Sequence, residues 1–142
     1  MKKQVFFFIA LTLSAWTAHA QTVVFEDNFE AHETGTPMVE LEWVVWEGGA
    51  LIAEGEAHSG SKYVLCQPSS NNFYLRKPIT LEVGKTYKYE VATKSPNSFN
   101  HRPQVRAGTR TIQGELANND TWVVKEIEFT VEEGEEDVVL IV

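Results

Sequence analysis

Cysteine is almost missing from this chain: Cys66 is the only one in 142 residues, so no disulfide can close within it. Cys66 directly follows the apolar Leu65, and no base stands beside it in sequence, so the expectation is a buried, unreactive thiol. Basic residues are also scarce, 12 against 20 acidic, for a formal net charge of −8. That balance disfavours duplex nucleic acid and anionic lipid, which lysine and arginine hold through phosphate. No segment reads as a long amphipathic helix, and no apolar run is long enough to span a bilayer. His-Glu-x-x-His, Gly-x-Ser-x-Gly, phosphate-loop and dinucleotide fingerprints are all absent, which leaves no catalytic constellation to build on.

The N-terminus carries Met1-Lys2-Lys3, an apolar stretch from Val5 to Leu13, and Ala18-His19-Ala20 before Gln21. A basic start, a short greasy middle and a small-x-small ending make residues 1–20 a secretory signal peptide, and the expected location secreted or periplasmic. No cysteine follows the cleavage point, which argues against a lipid anchor there, so no membrane anchor is expected. Export leaves residues 21–142, enough for one domain with its own core. It also removes Lys2 and Lys3, leaving ten basic against twenty acidic residues. Glu132, Glu133, Glu135, Glu136 and Asp137 read as a solvated turn between strands, without the spacing of an EF-hand loop.

Past residue 21 the pattern is one of short strands. They are expected over 22–29, 43–46, 50–53, 62–67, 73–81, 86–93, 104–107, 121–131 and 138–142. Breakers separate them at Glu33 to Pro37, Pro68 to Asn72, Val83-Gly84-Lys85, Ser95 to Ser98, Gly108 and Asn118-Asn119-Asp120. Short strands at such spacing imply an all-β antiparallel sandwich or barrel. Tyr87, Tyr89 and Val91 share one face and should point inward, as should Ile127, Phe129 and Val131. Trp122 is out of phase with the second set, so either a bulge near Val123-Val124 buries it or it lies on the opposite face. The corner Glu56-Ala57-His58-Ser59-Gly60-Ser61 feeds the strand that begins at Lys62, and Gly60 supplies the backbone reversal.

Phe25-Glu26-Asp27-Asn28-Phe29-Glu30, a Trp at 43 or 46, the His58-Ser59-Gly60-Ser61 corner, Gly84-Lys85-Thr86-Tyr87-Lys88-Tyr89, and Trp122 leading into Glu128-Phe129-Thr130-Val131 occur in that order. This order resembles the jelly-roll carbohydrate-binding modules of the xylan- and glucan-binding type, within the galactose-binding-like β-sandwiches. The resemblance covers nearly the whole of residues 21–142. It implies an antiparallel β-sandwich (jelly roll) lacking its last strand, since such modules close with an Ile-Asp-Asp-like strand and this chain stops at Val142 in mid-strand. It further implies a structural calcium held by the Asn28 carbonyl, Glu30, Ser59 and the Lys62 carbonyl, although the usual closing Asp is missing and Glu30 is the only carboxylate of the set. Trp43 and Trp122 match positions that are core in that family.

Sugar recognition needs flat apolar faces for pyranose C–H groups and polar forks for the hydroxyls. If Phe73, Leu75, Ile79 and Leu81 face the core, Tyr74 and Arg76 face out, and Tyr74 lies near where the family often carries a platform aromatic. Trp46, followed by Glu47-Gly48-Gly49, should sit at a strand end near solvent. Gln104 and Arg106 share the polar side of a strand and could bind hydroxyls; equally, Arg106 could pair with Glu90 across the sheet, which would contribute little. The candidate carbohydrate-binding set is thus Tyr74, Trp46, Arg76, Gln104, Arg106 and Glu90, while Phe99, His101 and Arg102 fall in a solvated loop. The chain lacks the Glu-x-Asp-x-x-Glu strand of the laminarinase-type jelly-roll hydrolases, so it is expected to be noncatalytic. The function expected is polysaccharide binding, with a fused downstream catalytic domain as a partner. The alternative is a structural or adhesive spacer of the same fold that binds protein.

Overall fold

The computed structural model describes residues 23–70, 72–95, 100–118 and 120–142. Residues 1–22, which include the proposed signal peptide, lie outside them, as do Asn71, Asn119, Phe99 and all of the Ser95 to Ser98 breaker except Ser95. A short 3-10 turn, Met38–Leu41, precedes nine strands: β1 (Val44–Trp46), β2 (Gly48–Glu54), β3 (Lys62–Pro68), β4 (Tyr74–Thr80), β5 (Thr86–Thr93), β6 (Gln104–Ala107), β7 (Arg110–Gln113), β8 (Val123–Thr130) and β9 (Asp137–Ile141). Every pairing is antiparallel. A five-stranded sheet runs β1-β4-β9-β6-β7, and two hairpins, β2-β3 and β5-β8, stand outside it.

Alternation along the strands decides which side of the sheet is covered. Val105, Ala107, Val138 and Leu140 are buried from the sheet side against Ile127 and Phe129 of β8, with Tyr87 and Tyr89 of β5 packed alongside. A second cluster joins Leu75 and Val45 of the sheet to Ala50, Ile52, Val64 and Cys66 of the β2-β3 hairpin, with Met38 and Trp43 beneath. Both hairpins therefore cover the same side of the sheet, an all-β arrangement consistent with a β-sandwich. Among the described residues no other strand packs on the opposite side, although Ile141 on it is buried.

The chain passes between layers at Glu47 and Gly48, where φ is +55° and +154°. The Ser69 N–H donates to the Glu47 carbonyl at 2.9 Å and ties the end of β3 to this kink. A Cβ on Gly48 would run into the Gln67 carbonyl and touch Phe73, so the crossing needs glycine for space as well as for its dihedral.

Most of the expected strands are present, with differences that have local causes. No strand forms over 23–29, because Asp27 and Asn28 accept hydrogen bonds from the Phe29 and Glu30 N–H groups at 2.8 and 3.2 Å and turn the chain locally. β7 was not expected; it pairs with β6 through the two-residue turn Gly108-Thr109, with Gly108 at φ +55°. Trp43 is core, at 9% exposure. Trp122 is not: β5 and β8 pair without a bulge, and Trp122 packs against Tyr63 and His58 with its Nε1–H on the Glu56 carbonyl at 2.8 Å. Cys66 packs on the second cluster, and burial pushes its thiol up to about 11, as expected of an inert cysteine.

Gly48→Ala should therefore cost at least about 2 kcal/mol in urea unfolding. Gly84→Ala, at φ +76° with open space around it, should cost only about 1 kcal/mol. Equal losses would mean that the crossing is not sterically tight.

Candidate functional site

The open side of the sheet is built by register alone. Val44 pairs with Arg76 and Trp46 with Tyr74 across β1 and β4. Arg76 is opposite Ile141, Ile141 opposite Gln104, and Gln104 opposite Gln113, so one row of side chains crosses all five strands. The next row holds Pro78, Val139, Arg106 and Thr111. Because Val45, Leu75, Leu140 and Val105 alternate with these residues and point into the cores, the rows must face outward.

Trp46 is 51% exposed and stands opposite Tyr74 in register at one end of the face. The Arg76 guanidinium lies 5.0 Å from the Tyr74 ring centre and 5.8 Å from that of Trp46, close enough for the ring faces to attract it. Arg76 Nε is buried and has no hydrogen-bond partner. Ile141, between Arg76 and Gln104, is only 1% exposed, so the middle of the row is apolar and dry while its flanks are polar. At the far end the Arg102 guanidinium donates to Gln113 Oε1. Aromatic faces at one end and amide and guanidinium groups at the other can receive the apolar and hydroxylated surfaces of one extended molecule.

Five of the six expected carbohydrate-binding residues come together here: Trp46, Tyr74, Arg76, Gln104 and Arg106. Glu90 does not. It lies on the outer side of β5, in the other layer, where its carboxylate accepts from Lys88 Nζ at 2.8 Å. An Arg106–Glu90 pair is therefore excluded, because alternation gives the side of a strand but not the layer to which it belongs. Gln113 joins the face on β7, a strand the sequence pattern does not show, and Arg102, expected in a loop, reaches it. The Gly108-Thr109 spacing was the available sign of this hairpin.

The residues expected to hold calcium form a different arrangement. Glu30 Oε1 accepts the N–H groups of Ser61 at 2.8 Å and Lys62 at 2.7 Å, and Oε2 accepts the Ser61 hydroxyl at 3.1 Å. Lys62 Nζ donates to the Glu30 carbonyl at 3.1 Å and to that of His32. Gly60, at φ +69°, leaves room for the Glu30 carboxylate, which a Cβ would strike. The set does not fit calcium as it stands. Calcium takes about six to eight oxygens, whereas the one carboxylate of this set already accepts two amide hydrogens and a hydroxyl, and the ammonium of Lys62 lies beside it on the carbonyls of Glu30 and His32. Among the described residues no group of three or more His, Cys, Asp and Glu side chains is placed to hold a metal.

No family model, no curated protein and no solved structure matches the chain. Among the described residues no helix is long and apolar enough to cross a membrane.

The Lys62 N–H, and after it the Ser61 N–H, hold the Glu30 carboxyl below its ordinary value. A depressed folded-state value gives stability that is complete above the ordinary glutamate range and lost as pH falls through the lowered value. Glu30→Gln should be less stable than wild type at neutral pH, and the gap should close as the pH is taken below about 4. A gap that stays constant with pH would show that the charge contributes nothing. The melting temperature should be the same with and without a calcium chelator, and a fall on chelation would put a metal back at this corner.

Proposed function

We propose that the protein is a noncatalytic carbohydrate-binding domain that lays a polysaccharide chain across the open side of its five-stranded sheet. The observation that carries this reading is the cross-strand pair Trp46–Tyr74, held beside Arg76 on a face that no other described element covers. Exposed aromatics that merely fill surface are scattered singly; here exposed Trp46 is set opposite half-buried Tyr74 by strand register, next to a row of amide and guanidinium groups. Stacking supplies affinity, while Gln104, Gln113 and the arginines supply hydroxyl recognition.

The jelly-roll connectivity, export through residues 1–20, and attachment to a downstream catalytic domain belong to the same proposal and are supported by the sequence resemblance. The competing reading is a protein-binding or spacer domain. The exposure of Val44 next to Trp46 favours it, since an apolar edge also suits a protein contact.

Affinity gel electrophoresis against xylan, β-glucan and pectin separates the two. Retardation by at least one polymer is expected, with Trp46→Ala and Tyr74→Ala each weakening it by about tenfold or more. Retardation by none of a broad glycan panel would leave the spacer reading.

A further inference from the structure

The chain has four arginines, and three of them, Arg76, Arg102 and Arg106, belong to the open face. The fourth, Arg110, is held elsewhere by Glu135 in a paired hydrogen bond. None of the three has a carboxylate partner among the described residues: Arg76 lies against rings, Arg102 bonds an amide, and the Arg106 side chain makes no hydrogen bond or ion pair. Asp137 is the one carboxylate that register puts on this side. It is opposite Thr80 at the far end of β9, and it pairs with no arginine. In a chain with 20 acidic and 12 basic residues, three arginines without a counter-charge on one face are a marked local reversal of sign.

We propose that the polysaccharide this face binds is a uronate polymer, recognised through its carboxylates. The inference rests on the carbohydrate-binding reading and names the class of glycan. A guanidinium presents a planar fork that matches a carboxylate with two parallel hydrogen bonds. The Arg76 guanidinium already lies against the Tyr74 and Trp46 rings, and its Nε–H, buried beneath the fork, has no acceptor among the described residues. Arg76 and Arg106 are separated by β9, two strand spacings or about 10 Å apart across the sheet. One small anion cannot reach both, whereas a chain with carboxylates on successive or alternate sugars can. The arginines stand in separate rows rather than converging on one point, which suits singly charged planar groups better than a dense cluster of sulfates. Gln104 and Gln113 lie between and beside them, placed for the hydroxyls of the same sugars. The surplus of acid on the rest of the molecule repels a polyanion everywhere else and so confines it to this face.

The test uses the full chain in affinity gels with calcium-free polygalacturonate and with the same polymer after its carboxyl groups have been reduced to alcohols. The acidic polymer is expected to bind about tenfold or more tightly than the reduced one, and to weaken steeply between about 0.05 and about 0.5 M salt. Arg76→Gln and Arg106→Gln should each weaken binding to the acidic polymer far more than binding to the reduced one, and so lose most of that preference; Trp46→Ala should weaken binding to both by a similar factor. Arg106 is exposed and unpaired, so its variant reads the effect even if Arg76→Gln fails to fold. Equal binding of the two polymers would overturn the uronate assignment and leave carbohydrate binding standing. Binding to a sulfated glycan but not to polygalacturonate would overturn the commitment to carboxylate. Binding to no glycan, acidic or neutral, would overturn both readings.

Discussion

The face rests on the hydrogen-bonded register of β9. That strand lies between β4 and β6 and aligns Arg76 with Ile141 and Ile141 with Gln104, so side chains from parts of the sequence far apart fall into one row. Side chains alternate with a period of two, so a slip of one residue anywhere in β9 would exchange Val138 and Leu140 for Val139 and Ile141 on the core side. The cores forbid it. Burying Val105, Ala107, Val138 and Leu140 against the β5-β8 hairpin fixes the phase of the sheet, and the outward row follows from that phase. Recognition and stability are thus two sides of the same strands.

What could be read from the sequence follows from the same alternation. In β4, Leu75 and Ile79 are apolar and face the cores, so Tyr74 and Arg76 had to point out. Trp46 was legible for a different reason, the Glu47-Gly48-Gly49 tail that ends a strand near solvent. Glu90 was assigned to the face because polarity along β5 shows which residues point outward but says nothing about which layer β5 joins. β7 has a single apolar residue, Ile112, and so no alternation to read, and Gln113 is hidden with it. Over 23–29 the apolar residues suggested a strand, yet the side chains of Asp27 and Asn28 offered the backbone a closer partner than another strand could.

The corner at Gly60 shows how a cation-like role can be filled by the chain itself. Glu30 gathers the N–H groups at the start of β3, and the Lys62 ammonium gathers two carbonyls from the segment before β1. Opposite charges on residues 30 and 62 thereby join an irregular N-terminal segment to a regular strand. Trp122 adds a second tie, from the start of β8 to the carbonyl of Glu56 in the same loop.

Finally, the five-stranded sheet ends on both sides in very short strands, three residues in β1 and four in β7. An unpaired edge invites foreign strands to add on, and the invitation weakens with length. Here β1 turns away at Glu47 after three residues, and β7 runs into Gly114, whose N–H is already taken by the Pro103 carbonyl. Among the described residues, the five-stranded sheet thus carries its wide face between rims only three and four residues long, which give a foreign strand little to pair with.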